Sequence, residues 1–155
     1  VGISSWTVKF GVLAALKTLV PADADLVKLG LPVLDPPLND YRRIYVMSVP
    51  SYQSTPVFES GSQVRRSDLI VPLLLEVETL TGNDVDGQET AEQDLATLVA
   101  QVETLCESDP SWGGVCFASG VSLASEAAGP IADVQGGGGF LAHALLQVHV
   151  RTQGD

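Results

Sequence analysis

Apolar positions Val8, Val12, Leu13, Leu16 and Val20 recur at helical spacing. Ser4 or Ser5 can cap the helix they predict, and Pro21 ends it. Its apolar stripe suits it to cover a sheet. Past a polar turn at Asp23 to Asp25, the short run Leu31 to Leu34 reads as a strand broken by Asp35, Pro36 and Pro37. Arg43 to Val49, rich in Ile, Tyr, Val and Met, reads as a second strand closed by Pro50. Ser51 to Ser67 is mostly Ser, Gln, Pro, Gly and charge, and reads as a long loop of the kind that makes contacts.

Strict alternation marks the next strand, Asp68 to Leu80. Leu69, Val71, Leu73, Leu75 and Val77 share one face, while Asp68, Glu76 and Glu78 lie on the other. Pro72 has no amide hydrogen to donate, so an edge or bulge is expected near it. A turn over Thr81 to Gly87 leads to a helix over about Gln88 to Glu107, with Leu95, Leu98, Val99, Val102, Leu105 and Cys106 on one stripe. Ser108 to Gly114 stops that helix. Val115, Phe117 and Val121 then alternate as in a strand, and Glu126 to Gly139 reads as a second loop ending in four glycines. The last strand runs from Phe140 to Arg151, with Phe140, Ala142, Ala144, Leu146, Val148 and Val150 on one face. This order predicts an α+β fold, a largely antiparallel twisted sheet with two main helices packed on one face.

Length and charge narrow the function. A chain of 155 residues fits one domain, here residues 1–155 with long loops at about 51–67 and 126–139. Its formal charge of −11 opposes adhesion to nucleic acid, because such affinity comes largely from Lys and Arg neutralising phosphates. The apolar stretch Phe10 to Val20 is interrupted by Lys17 and is shorter than the roughly 20 residues of a membrane helix. No membrane span is therefore expected. No basic leader with a small-residue cleavage site is visible, so no signal peptide is expected either.

Each candidate catalytic or metal site fails on spacing or context. Asn83-Asp84-Val85-Asp86-Gly87 suggests a calcium loop, but with Gly87 as its turn glycine the first and last ligand positions fall on Gly82 and Gln93. Gly136, Gly137, Gly138 and Gly139 lead into a strand rather than a helix, which suits a loop or interface better than a phosphate cradle. His143 and His149 share a strand face but lie roughly 20 Å apart at strand rise, too far for one ion. Ser119 lacks a nucleophile elbow and a placed Asp-His pair. Cys106 and Cys116 fit neither a zinc pair nor a redox motif, and are expected to be buried reduced thiols. No enzyme activity and no cofactor are expected.

The order of elements resembles the tail terminator family of siphophages, the lambda-type minor tail protein and its relatives in actinobacteriophages. The likeness covers nearly the whole chain. It runs through Val12-Leu13-Ala14-Ala15-Leu16-Lys17, Tyr45-Val46-Met47, Arg66-Ser67-Asp68-Leu69-Ile70-Val71-Pro72-Leu73 and Leu95-Ala96-Thr97-Leu98-Val99. It also includes Asp109-Pro110-Ser111-Trp112-Gly113-Gly114, which is similar to an Asp-Pro-x-Leu-Gly-Gly pattern with Trp112 in the aliphatic place. The resemblance implies a structural virion protein, assembled in the host bacterial cytoplasm, that forms a hexameric ring. Such a ring caps the tail tube protein, ends polymerisation, faces the head–tail connector and lets DNA pass without specific binding. A ring subunit needs two different complementary surfaces. Arg42, Arg43, Arg65 and Arg66, with the glycine run 136–139, are the expected interface residues, the arginines engaging acidic patches on a neighbour or on the tube. A head completion or connector (neck) protein is the near alternative. A small-ligand binding or enzymatic domain using the His143 strand is the distant one.

Overall fold

The computed structural model describes residues 5–30, 41–49, 52–59, 62–79, 85–116, 118–131 and 139–154. Helix α1 (Ser5–Leu16) continues as a 3₁₀ turn over Lys17–Leu19, and Val20 turns the chain into extended backbone before Pro21. Strands β1 (Leu26–Leu29), β2 (Tyr41–Val46), β3 (Tyr52–Glu59) and β4 (Ser62–Thr79) precede helix α2 (Val85–Ser108), and β5 (Ala118–Ile131) and β6 (Gly139–Gly154) follow it. One six-stranded sheet results, in the order β1-β2-β4-β6-β5 with β3 also on β4. Only β1 and β2 run parallel among the described strands. The α+β architecture follows the predicted one.

Both helices cover the same face. α1 packs on β1 and β2, and α2 packs on β4, β6 and β5. Between sheet and helices lies a core to which α1 gives Val8, Val12 and Leu16, β4 gives Leu69 to Val77 at alternate positions, and β6 gives Phe140 to Val150 likewise. From α2 the same core takes Ala91, Leu95, Leu98, Val102 and Cys106, the stripe its helical spacing demands. Among the described residues no helix is long and apolar enough to cross a membrane.

The structure departs from the sequence pattern at four places. The first strand lies at Leu26–Leu29, just before the Leu31 to Leu34 run, which is outside the described residues. Asp25 precedes it and is tied to β2, its amide donating to Arg42 O and its carboxylate accepting from Arg42 N, each at 2.8 Å. Second, most of the expected 51–67 loop is strand. Tyr52–Glu59 and Ser62–Leu69 form an antiparallel hairpin, paired residue by residue along the backbone, a ladder that a Ser- and Gln-rich sequence does not announce. Third, β5 extends through Glu126 to Ile131, into the expected second loop, because β6 supplies a partner for every step with one register shift between Leu123 and Ser125. Residues 132–138 lie outside the description.

Pro72 is the fourth. β4 is a central strand, and its pairing with β6 runs without a break from Arg65↔Gly154 to Thr79↔Phe140, including Pro72↔Gln147. Since β6 fills one side of β4, β2 (opposite 73–78) and β3 (opposite 62–69) both lie on the other, end to end. Pro72 stands in the gap between them, and its carbonyl accepts from Met47 N at 2.9 Å. In a strand the N–H and C=O of one residue point to the same side. The missing donor therefore faces the gap and takes nothing from the β6 ladder.

Candidate assembly interface

The β3–β4 hairpin runs past the end of the β6 ladder. Its β4 half reaches back to Ser62, three residues before β6 pairing begins at Arg65, so that β3 alone pairs residues 62–64. Arg65 lies opposite Pro56 and Gly154, and Arg66 opposite Thr55 and Gln153. Both arginines thus lie on β4 where it is flanked by β3 and by the end of β6.

Arg42 and Arg43 already have partners within the chain. Arg42 Nε lies 3.3 Å from Asp25 Oδ2, and its Nη1 donates to Ala22 O. Arg43 is 2% exposed. Alternation sets it on the sheet face away from the helices, directly opposite Glu76, and its Nη2 donates to Glu78 Oε2 at 2.6 Å. Glu76 Oε2 is 3.8 Å from Nε, and the guanidinium centre sits 5.1 Å from the Tyr41 ring centroid. The sequence showed a surface arginine pair; it could not show that Glu78, diagonal to Arg43 across the ladder, draws the second arginine inward. Burial pushes the Glu78 carboxyl above its ordinary value, against the pull of Arg43. Of the glycine run, Gly139 opens β6, and Gly136, Gly137 and Gly138 lie outside the described residues.

Several residues weighed for chemistry make structural contacts after α2. After α2, Asp109 organises a tight turn, its carboxylate accepting from Ser111 Oγ (2.5 Å), Gly113 N (2.8 Å) and Ser111 N (3.2 Å). Trp112, Gly113 and Gly114 all adopt positive φ, at 49°, 80° and 85°. Such a conformation is costly for a tryptophan, and it turns the indole inward, where Trp112 is 1% exposed. Ser119 anchors the indole. Its hydroxyl donates to Pro110 O at 2.6 Å and accepts from Trp112 Nε1 at 2.8 Å. With its one hydrogen used, it must be the acceptor for the Cys106 thiol at 3.3 Å. Helix α1 closes on the turn from outside: a Cβ at Gly11 would lie 2.6 Å from Val115 Cγ2 and 3.1 Å from Trp112 O.

Cys106 and Cys116 are both free and buried, the state expected of them. Burial, then the neighbouring Cys106 and Asp109, push the Cys116 thiol up to about 11, away from thiolate reactivity. His143 and His149 share the outer face of β6; His149 Nε2 is 2.9 Å from Ser122 Oγ, and His143 lies opposite Glu76. Val85 to Gly87 of the calcium-loop candidate belong to α2, while Asn83 and Asp84 lie outside the described residues. Among the described residues no group of three or more His, Cys, Asp or Glu could hold a metal ion.

Hydrogen bonds to the ionised form, first from Ser111 Oγ and then from Gly113 N, hold the Asp109 carboxyl below its ordinary 3.8. A lowered folded-state value contributes stability above the unfolded value and loses it as pH falls through the folded one. The melting temperature of the wild type should therefore fall more steeply than that of Asp109→Asn between about pH 4 and about pH 2. Parallel slopes in a thermal-melt series would show that the carboxylate does not hold the turn.

Two surfaces drew no notice in the sequence pattern. Trp6 and Phe10 on α1 are 64% and 50% exposed, although the helix already buries Val8, Val12 and Leu16. Between α2 and β5 runs an open groove of about 310 Å³, lined by Leu95, Val99 and Leu123 together with Glu92, Glu103 and Glu126. The signal for the first was present: Trp6 and Phe10 fall off the stripe set by Val8 and Val12. The groove had none, since it needed β5 to extend past Leu123.

No protein-family model matches the sequence, and no curated protein matches it. Among solved structures, the chain is similar to one from the virion of a native gene transfer agent (GTA) particle, with a TM-score of 0.34 and 12% identity over 94% of this chain and 92% of that chain.

Proposed function

We propose that this chain is a structural virion protein, a subunit of a ring that caps the end of a phage tail tube, stops its polymerisation and offers the head-joining surface. The observation that carries the reading is the β3–β4 hairpin, in which residues 62–64 pair with β3 alone past the end of the β6 ladder, next to Arg65 and Arg66 at its last paired positions. Strand backbone that runs past the end of its β6 partner is suited to contact another molecule. The motif resemblance points the same way, and the turn at Asp109 to Gly114 is the part of that motif with a visible task, locking α2 to β5 and α1. A formal charge of −11 suits a channel through which DNA passes without sticking.

Electron microscopy of the purified chain, alone and mixed with tail tubes, tests this. Rings seated on tube ends are the expected result, with reduced capping by Arg65→Glu/Arg66→Glu. Unchanged capping by that variant removes the arginines from the contact. Rings that bind the head connector and ignore tube ends would favour a head completion protein. A chain that stays monomeric and leaves tubes bare would defeat the ring reading.

A further inference from the structure

Helix α1 is apolar on two stripes, and the fold buries only one. Val8, Val12 and Leu16 enter the core. Trp6 and Phe10 fall at i and i+4 on a second face, which continues through Leu13, itself packed against the core, to Lys17 just past the helix end, the spacing with which a helix lays a face into a groove. An apolar helix is normally covered on every side. Here Trp6 and Phe10 stand in solvent beside one another, and tryptophan is the residue type most enriched where binding energy concentrates.

Charge identifies the cover. Lys9, Lys17 and Lys28 are the only lysines of the chain, and all lie on α1, the 3₁₀ turn after it and β1. Helix α2 carries Asp86, Glu89, Glu92, Asp94, Glu103 and Glu107, with no Lys or Arg. The α2/β5 groove thus has both apolar and acidic lining residues, and Leu123 in it is 53% exposed. A patch of aromatic and lysine residues at one edge of the molecule matches a groove of aliphatic and glutamate residues at the other. Since α1 packs on β1 and β2 while the groove borders β5, the two lie at opposite ends of the sheet order.

We infer that the Trp6–Phe10 stripe of one copy seats in the α2/β5 groove of a second copy, in a head-to-tail contact that passes from subunit to subunit. Contact between unlike surfaces cannot stop at two copies; it closes into a ring when the rotation allows. The inference rests on the ring reading and names the surfaces that make the ring.

The two surfaces can be disabled separately, by Trp6→Glu/Phe10→Glu and by Leu123→Glu, at side chains exposed enough to leave the fold intact, which thermal melting verifies. Sedimentation is then measured for the wild type, for each variant and for their equimolar mixture. Each variant alone should be monomeric, with association weakened at least about 30-fold, the factor that about 2 kcal/mol at one anchor corresponds to. Their mixture should form dimers and nothing larger, because it retains one good patch and one good groove. Rings from either variant would overturn the inference and leave the ring reading standing, as would a mixture without dimers beside a wild type that forms rings. Variants that form rings but no longer cap tubes would assign the stripe to the tube protein and overturn it too. A wild type that is monomeric and ignores tubes would remove both.

Discussion

Replacing Arg43 by methionine should destabilise the protein by about 3–5 kcal/mol at neutral pH, the range for removing one partner of a buried ion pair. Glu78 is 4% exposed and depends on the Arg43 guanidinium 2.6 Å away. Without it, the fold must hold an uncompensated carboxylate or bind a proton. The pH dependence follows from the sign. A carboxyl whose folded value is raised favours the folded state below its unfolded value, ordinarily 4.5, and loses that contribution as pH rises through the folded value. The deficit should therefore shrink on acidification, and denaturant midpoints at about pH 7 and about pH 4 would display it. Adding Glu78→Leu should recover most of the loss, because an apolar pair in place of a buried ion pair is often neutral or better. A double variant as weak as the single one would mean that Arg43 acts through Tyr41 and Glu76 instead.

Trp112→Ala should cost a similar amount, about 3–5 kcal/mol, a large part of the roughly 5–15 kcal/mol that holds a domain together. The indole is one of the largest fully buried side chains, and its Nε1–H satisfies Ser119. Trp112→Phe separates the two contributions, keeping most of the packing while dropping the hydrogen bond, for a cost of about 1 kcal/mol. Circular dichroism in denaturant measures both. The other tryptophan, Trp6, is exposed, so losing Trp112 should also remove the blue-shifted part of the fluorescence. If the phenylalanine variant proves as weak as the alanine one, the Ser119 hydroxyl network dominates over packing.

Elements whose apolar positions keep a regular period were legible in the sequence, and those without one were not. β4 and β6 announced themselves because Leu69 to Val77 and Phe140 to Val150 alternate, and α2 because Leu95, Leu98 and Val102 keep helical spacing. β5 past Leu123 is mostly exposed and carries Ser, Glu, Ala and Gly, and β3 mixes Gln, Ser, Thr and Pro into its apolar residues, so neither shows a strand period in the sequence. The four arginines divide as well. Arg65 and Arg66, expected at the end of a loop, lie on β4 between β3 and β6, whereas Arg43 is drawn inward by Glu78, thirty-five positions away. No local pattern carries a contact of that separation. Ser119 was set aside as a nucleophile for want of a neighbouring motif; its actual partners, Pro110, Trp112 and Cys106, come together only when the chain turns back after α2.

Two strands as long as β4 and β6 invite sliding, since many registers would satisfy most of their amides. Pro72 penalises the single-residue errors. Moving the β4 ladder by one step would aim the ring nitrogen, which has nothing to donate, at a β6 carbonyl, and would turn every core side chain of the strand to the wrong face. A two-step slip keeps the faces but carries the proline out of the gap that Met47 shares with it. One imino acid in the middle of the sheet thus works as a proofreading mark for alignment, discriminating against misfolded registers that hydrophobicity alone would judge nearly equal.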